Sequence, residues 1–157
     1  MRPPRLALAL AALACSCASS QGMSREAYVR REMAGLVLPR SIDEVWPLAH
    51  ELLSEQGYNG VDQPGTLEYR SEWREDVAPS RFEGKLTRYH AQGIRLPESR
   101  CRVVLTRFVR PKELGRGPPD PSEGTRDFEM ELLLYKKVDP DGGAALEREA
   151  NDPSSRR

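Results

Sequence analysis

Few residues in this sequence are placed to do chemistry, and each has a plainer reading beside it. His50-Glu51 opens like the zinc-binding helix of a metalloprotease, but the position three beyond the glutamate is Ser54 and half of the metal ligands are missing. His50 then reads as a helix-flank residue. His90 and Cys101 are a base and a nucleophile by residue type, and their use together requires a geometry that spacing alone does not supply. Glu129 and Glu131 fall on one face of an alternating stretch, where two carboxylates shift each other's protonation; opposite Arg102 or Arg110 they would form an ordinary charge ladder instead. There is no glycine-rich phosphate loop and no nucleophile elbow. The expectation is a non-catalytic protein with no metal site and no cofactor.

The remaining chemistry is at the start of the chain. Arg2 and Arg5 precede an unbroken apolar run from Leu6 to Leu13, which ends in small residues, Cys15 and Cys17. That run is far short of the roughly 20 residues that cross a bilayer, so it reads as a signal peptide. Ala12-Leu13-Ala14-Cys15 resembles the lipobox of bacterial lipoproteins, in which the cysteine thiol takes a diacylglyceryl group. Cys17 is the alternative anchor, and cleavage after Ala18 would instead release a soluble secreted domain. With Cys15 as the anchor the next residue is Ser16, which by resemblance to lipoproteins of two-membrane bacteria implies the outer membrane, facing the periplasm. Several acyl chains at about 0.8 kcal/mol per buried methylene would hold a soluble domain there.

Composition narrows the rest. The chain has 157 residues with 24 basic and 24 acidic side chains, and loss of Arg2 and Arg5 leaves 22 basic against 24. A mildly acidic domain of this size implies one hydrophobic core and no nucleic-acid partner. Beyond the leader only Cys101 remains, which reads as a small buried hydrophobe, so a disulfide framework is not expected.

The expected organisation is a signal peptide over 1–14, a lipidated cysteine region and flexible tether over 15–35, a single domain over 36–150, and a disordered tail over 151–157. Residues 23–35 read as tether or marginal helix. Ser41-Ile42-Asp43-Glu44 has capping-box spacing, and Ile42, Val45, Trp46, Ala49, Leu52 and Leu53 recur on one helical face up to Gly57, with Pro47 expected to bend the first turns. The period then changes to two. In 66–73, Leu67, Tyr69 and Trp73 alternate with Glu68, Arg70 and Glu72. Residues 81–95 alternate weakly and read as an edge strand. Residues 100–110 and 126–138 read as central strands, the second from Phe128, Met130, Leu132 and Leu134. The Pro- and Gly-rich stretch 115–124 between them reads as a mobile loop and a contact surface. Asp139-Pro140 starts a last short helix.

These elements predict an α+β fold with one main helix across an antiparallel sheet of four or five strands. The steps Ile42-Asp43-Glu44-Val45-Trp46, Leu52-Leu53 to Gly57-Tyr58, and Gly65-Thr66-Leu67 into Tyr69 to Trp73 resemble the helix-on-sheet domains of the BamC family of envelope lipoproteins. The resemblance implies a binding or assembly role beside another envelope protein. Trp73, Phe108 and Tyr135 are the candidate exposed aromatics for such a contact. The alternative is a carrier of a small apolar ligand, with Trp46, Leu67, Leu105 and Leu132 lining its cavity.

Overall fold

A computed structural model describes residues 23–76, 84–112 and 124–156. The leader, Cys15, Cys17 and nearly all of the Pro- and Gly-rich stretch lie outside the described residues. No described helix is long and apolar enough to cross a membrane.

The architecture is α+β, as expected, with more elements than foreseen: helices α1 (Arg25–Ala34), α2 (Ile42–Glu55), α3 (Phe128–Val138) and α4 (Pro140–Asn151), and strands β1 (Gly60–Asp62), β2 (Glu68–Ser71), β3 (Arg74–Asp76), β4 (Lys85–Leu96), β5 (Arg100–Pro111) and β6 (Thr125–Arg126). All strand pairs are antiparallel, in the order β1-β2-β4-β5-β6, with β3 also on β4. The expected capping box closes α2: Ser41 N–H donates to the Glu44 carboxylate at 3.2 Å, and Gly57, at φ +79°, turns the chain out of the helix. Pro47 is exposed, and the helix continues through it.

Four expectations are corrected. Residues 23–35 are a capped helix, not a tether: Ser24 accepts from Ala27 N–H, and Tyr28, Val29 and Met33 are buried. Burying each such side chain is worth about 1.5–3 kcal/mol, enough to dock a helix that is weakly amphipathic on its own. Residues 126–138 are not a central strand but mostly α3. Asp127 caps it through Met130 N–H, Glu129 and Glu131 lie in its first turn, and Lys136 and Lys137 lie in its last, all in the sense that the helix dipole favours. Strand β4 is not an edge; it pairs with β2, β3 and all along β5. Residues 152–156 do not fray. They turn on Asp152, which accepts from Ser154, and Arg156 O accepts from Met23 N–H at 2.8 Å. The last helix is as foreseen, with Asp139 capping α4 through Gly142 N–H and Pro140 in its first turn.

Two clusters form the core. One joins α2 and the inner face of the sheet to Met130, Leu134 and Val138 of α3; the other joins Tyr28, Val29 and Met33 to Leu132 and Ala150. Helix α3 therefore buries two of its sides. Between the clusters sits a buried ion pair. Glu131 accepts from Arg126 Nε and Nη2, both at 2.8 Å, and from Leu105 N–H of β5 at 3.0 Å, while Arg126 also donates to the carbonyls of Met33 and Ala34 that end α1.

Candidate interaction surface

The helices cover one face of the sheet. Tyr69, Thr87, Tyr89, Ala91, Cys101, Val103 and Leu105 point into the core, so their neighbours along each strand point the other way. On that outer face Leu86, Arg88, His90, Gln92 and Ile94 of β4 stand opposite Arg110, Phe108, Thr106, Val104 and Arg102 of β5. Among the described residues no helix packs there, and these side chains are half-buried or exposed.

Trp73 reaches the outer face through a break in the strand. Arg70 pairs with His90 and Arg74 with Thr87, and Ser71 Oγ accepts from Tyr89 N–H, so Glu72 and Trp73 together stand opposite the single residue Arg88. Two residues against one is a β-bulge, and it resets which side chains face the core. Before it Tyr69 and Ser71 point inward; after it Arg74 does, donating to the Tyr58 hydroxyl at 2.9 Å and lying over that ring. The alternation expected for 66–73, with Trp73 beside Tyr69, is therefore broken at Trp73.

Two of the three candidate aromatics are brought together. The Arg88 guanidinium lies 4.7 Å from the Trp73 ring and 5.4 Å from that of Phe108, and the Arg110 guanidinium lies 4.3 Å from Trp73. Such cation–π contacts are worth about 0.5–1 kcal/mol each where water has access. Arg70 and Arg102 share the face, as do Glu68, beside Gln92 and His90, and Glu75, which is paired with Lys112. Of the four exposed large hydrophobics among the described residues, Val61 and Ile94 are also here. The third aromatic is elsewhere: Tyr135 packs against both clusters, and its hydroxyl donates to Asp139. Arg88, which the sequence reading did not single out, and Arg110, weighed above only as a partner of glutamates, are the surface residues that sequence reasoning missed; for Arg110 the available signal was its place two residues after Phe108, on the same strand face.

The groups considered for chemistry are dispersed. His90 is on the outer face and Cys101 on the inner one, paired with Arg95 across the strands. Cys101 is fully buried, and burial pushes its thiol up to about 11. His50 packs against Tyr69 and edge-on against Trp46, with Nε2 3.1 Å from Asp62 Oδ1, which also accepts from Trp46 Nε1 at 3.2 Å. Glu51 accepts from Lys137. Glu129 and Glu131 are not on one strand face: Glu129 pairs with Arg25 at the surface, and Glu131 is buried with Arg126. Among the described residues no three His, Cys, Asp or Glu side chains are grouped to hold a metal ion.

Two concave features among the described residues bear on a ligand site. An open groove of about 660 Å³ runs between α1 and the start of α3, and its charged residues are paired, Arg25 with Glu129, Arg30 with Glu26 and Arg107 with Asp127. A cavity of about 10 Å³ lies among Met33, Leu38, Val103 and Leu134 beside Arg126 and Glu131. Leu105 and Leu132, proposed to line one ligand cavity, belong to separate clusters. No family model matches this chain, and no curated protein matches it significantly.

Proposed function

We propose that this protein is a lipid-anchored envelope protein that acts as a non-catalytic binding or assembly module, meeting an envelope partner on the sheet face that no described helix covers. The observation that carries the reading is the meeting of Trp73, Arg88, Phe108 and Arg110 on a face that no described helix covers. Buried aromatics and arginines dominate the energetics of protein interfaces, and a β-bulge that aims a tryptophan outward gives such an anchor a fixed position. The leader-like run before Cys15 supports an anchor in the outer membrane on its periplasmic side, with Cys17 as the alternative. The resemblance to BamC-like domains supports an assembly role.

The non-catalytic reading rests on where the reactive groups go: Cys101 and His90 lie on opposite faces, and the carboxylates of α3 each have an arginine. A carrier is less well supported, because the cavity of about 10 Å³ has room for about one water, and the groove of about 660 Å³ is open and lined mainly by charged side chains rather than by the apolar walls that a small apolar ligand needs.

Intact mass spectrometry of protein from the membrane fraction, with Cys15→Ala and Cys17→Ala beside it, tests the anchor. A diacylglyceryl mass lost in only one variant supports the reading and identifies the cysteine. An unlipidated chain beginning after Ala18 overturns it.

A further inference from the structure

We infer that a short reach from the anchor holds one end of the molecule, formed by the start of α1 and the end of α4, against the lipid headgroups, with β1 on the side away from them. This rests on the lipid-anchor reading above and deepens it, from how the protein is attached to which of its surfaces meets the membrane.

The fold takes hold of the chain at Met23. Met23 N–H donates to Arg156 O at 2.8 Å, Arg25 Nε donates to Asn151 Oδ1 at 3.0 Å, and the Tyr28 hydroxyl donates to Glu149 at 3.0 Å. Ser24 caps α1, and Tyr28, Val29 and Met33 are buried with Leu132 and Ala150. The start of α1 is therefore tied to α4 by three hydrogen bonds and a shared apolar cluster, and Arg156, the last described residue, lies beside Met23.

From there the anchor is close. Cys15 stands eight residues before Met23, and a chain spans at most about 3.6 Å per residue, so Met23 stays within about 29 Å of a lipid-bearing Cys15, or within about 22 Å of Cys17. A compact domain of this length has a radius of gyration near 14 Å and is about 35 Å across. The reach is shorter than the width, so the domain cannot turn its far side onto the bilayer. With 23–35 as a tether the reach from Cys15 to Leu36 would be about 76 Å, and any surface could face the lipid. Docking of α1 against α3 and α4 is what removes that freedom.

The two sides of the molecule are distinguishable. Helix α1 packs on α3 and α4, and its last carbonyls take Arg126 of β6, one edge of the sheet. Strand β1 is the opposite edge, four strand spacings or about 19 Å away. Around Met23 the exposed side chains include Ser24, Glu26, Asn151, Asp152, Ser154 and Ser155. This polar set suits contact with hydrated headgroups rather than insertion, which takes an apolar face, so the acyl chains supply the binding and the short reach supplies the orientation.

Fluorescence quenching tests this on the full-length chain, purified from membranes and placed in vesicles of phosphatidylethanolamine and phosphatidylglycerol that carry a nitroxide on the headgroup. A small fluorescent amino acid replaces Ser155 in one sample and Val61 of β1 in another, both exposed positions. The expected result is severalfold stronger quenching at Ser155 than at Val61. A fifteen-residue Gly/Ser insert before Met23, which adds about 50 Å of reach, should bring Ser155 down to the level of Val61. Equal quenching at the two positions, stronger quenching at Val61, or a difference that survives the insert overturns the inference. The mass of the same samples reads the anchor separately: an unlipidated chain refutes the lipid-anchor reading and this inference with it, whereas a lipidated chain quenched equally at both positions refutes this inference alone.

Discussion

Replacement of Glu131 by alanine is expected to destabilise the protein by about 3 kcal/mol. The side chain is 3% exposed, and its two oxygens take three donors: Arg126 Nε, Arg126 Nη2 and Leu105 N–H. Removing one member of a buried pair costs about 3–5 kcal/mol, because the other charge is left without compensation. Arg126 keeps the carbonyls of Met33 and Ala34 and is 26% exposed, and the adjoining cavity of about 10 Å³ would widen enough to admit water, so the low end applies. In a domain of this size about 3 kcal/mol lowers Tm by roughly 10 °C. The assay is urea unfolding of the wild type, Glu131→Ala, Glu131→Met, Arg126→Met and Glu131→Met/Arg126→Met. The double variant should recover most of the loss, since an apolar pair of similar volume removes both desolvation costs. A Glu131→Ala loss below about 1 kcal/mol, or a double variant as unstable as the sum of the singles, would refute the reasoning.

Two further predictions follow from burial and close approach. All five tyrosines, Tyr28, Tyr58, Tyr69, Tyr89 and Tyr135, are held above the ordinary phenol range, first by burial and, for Tyr89, also by its 2.6 Å hydrogen bond to Asp127. A folded-state pKa above the unfolded value gives stability that is complete below about pH 10 and is lost as pH rises towards the folded value. Tyrosinate absorbance should therefore appear together with the loss of far-ultraviolet circular dichroism, and a native-state titration near pH 10 would contradict the burial. Gly143→Ala should destabilise by about 1–3 kcal/mol in urea, although alanine is the better helix former by about 1 kcal/mol, because an added Cβ would stand 2.7 Å from Lys136 Cα and 2.6 Å from Lys136 Cγ. An alanine variant as stable as the wild type would mean that α3 and α4 are not in such close contact.

Some of this protein is determined by local sequence alone. The capping box at Ser41, the apolar face of α2, the Asp139-Pro140 start of α4 and the inward run Cys101, Val103 and Leu105 were legible because each depends on neighbours a few residues away. The error over 126–138 has a physical cause. Helix α3 buries one side in each cluster, so apolar residues fall at Phe128, Met130, Leu132 and Leu134 and imitate alternation, while the capping Asp127 and terminal charges spelled out a helix. Other features only the tertiary structure decided. Helix α1 is ordered by what α3 and α4 offer it, the outer face, which no described helix covers, made the central strand β4 look like an edge, and the burial of Glu131 follows from Arg126 and Leu105 arriving from two other elements. The candidate surface is of this kind too. Phe108 was recognisable in its strand, but the bulge that turns Trp73 towards Arg88 and Arg110 is set by pairing with β4, a register that no stretch of sequence around Trp73 contains.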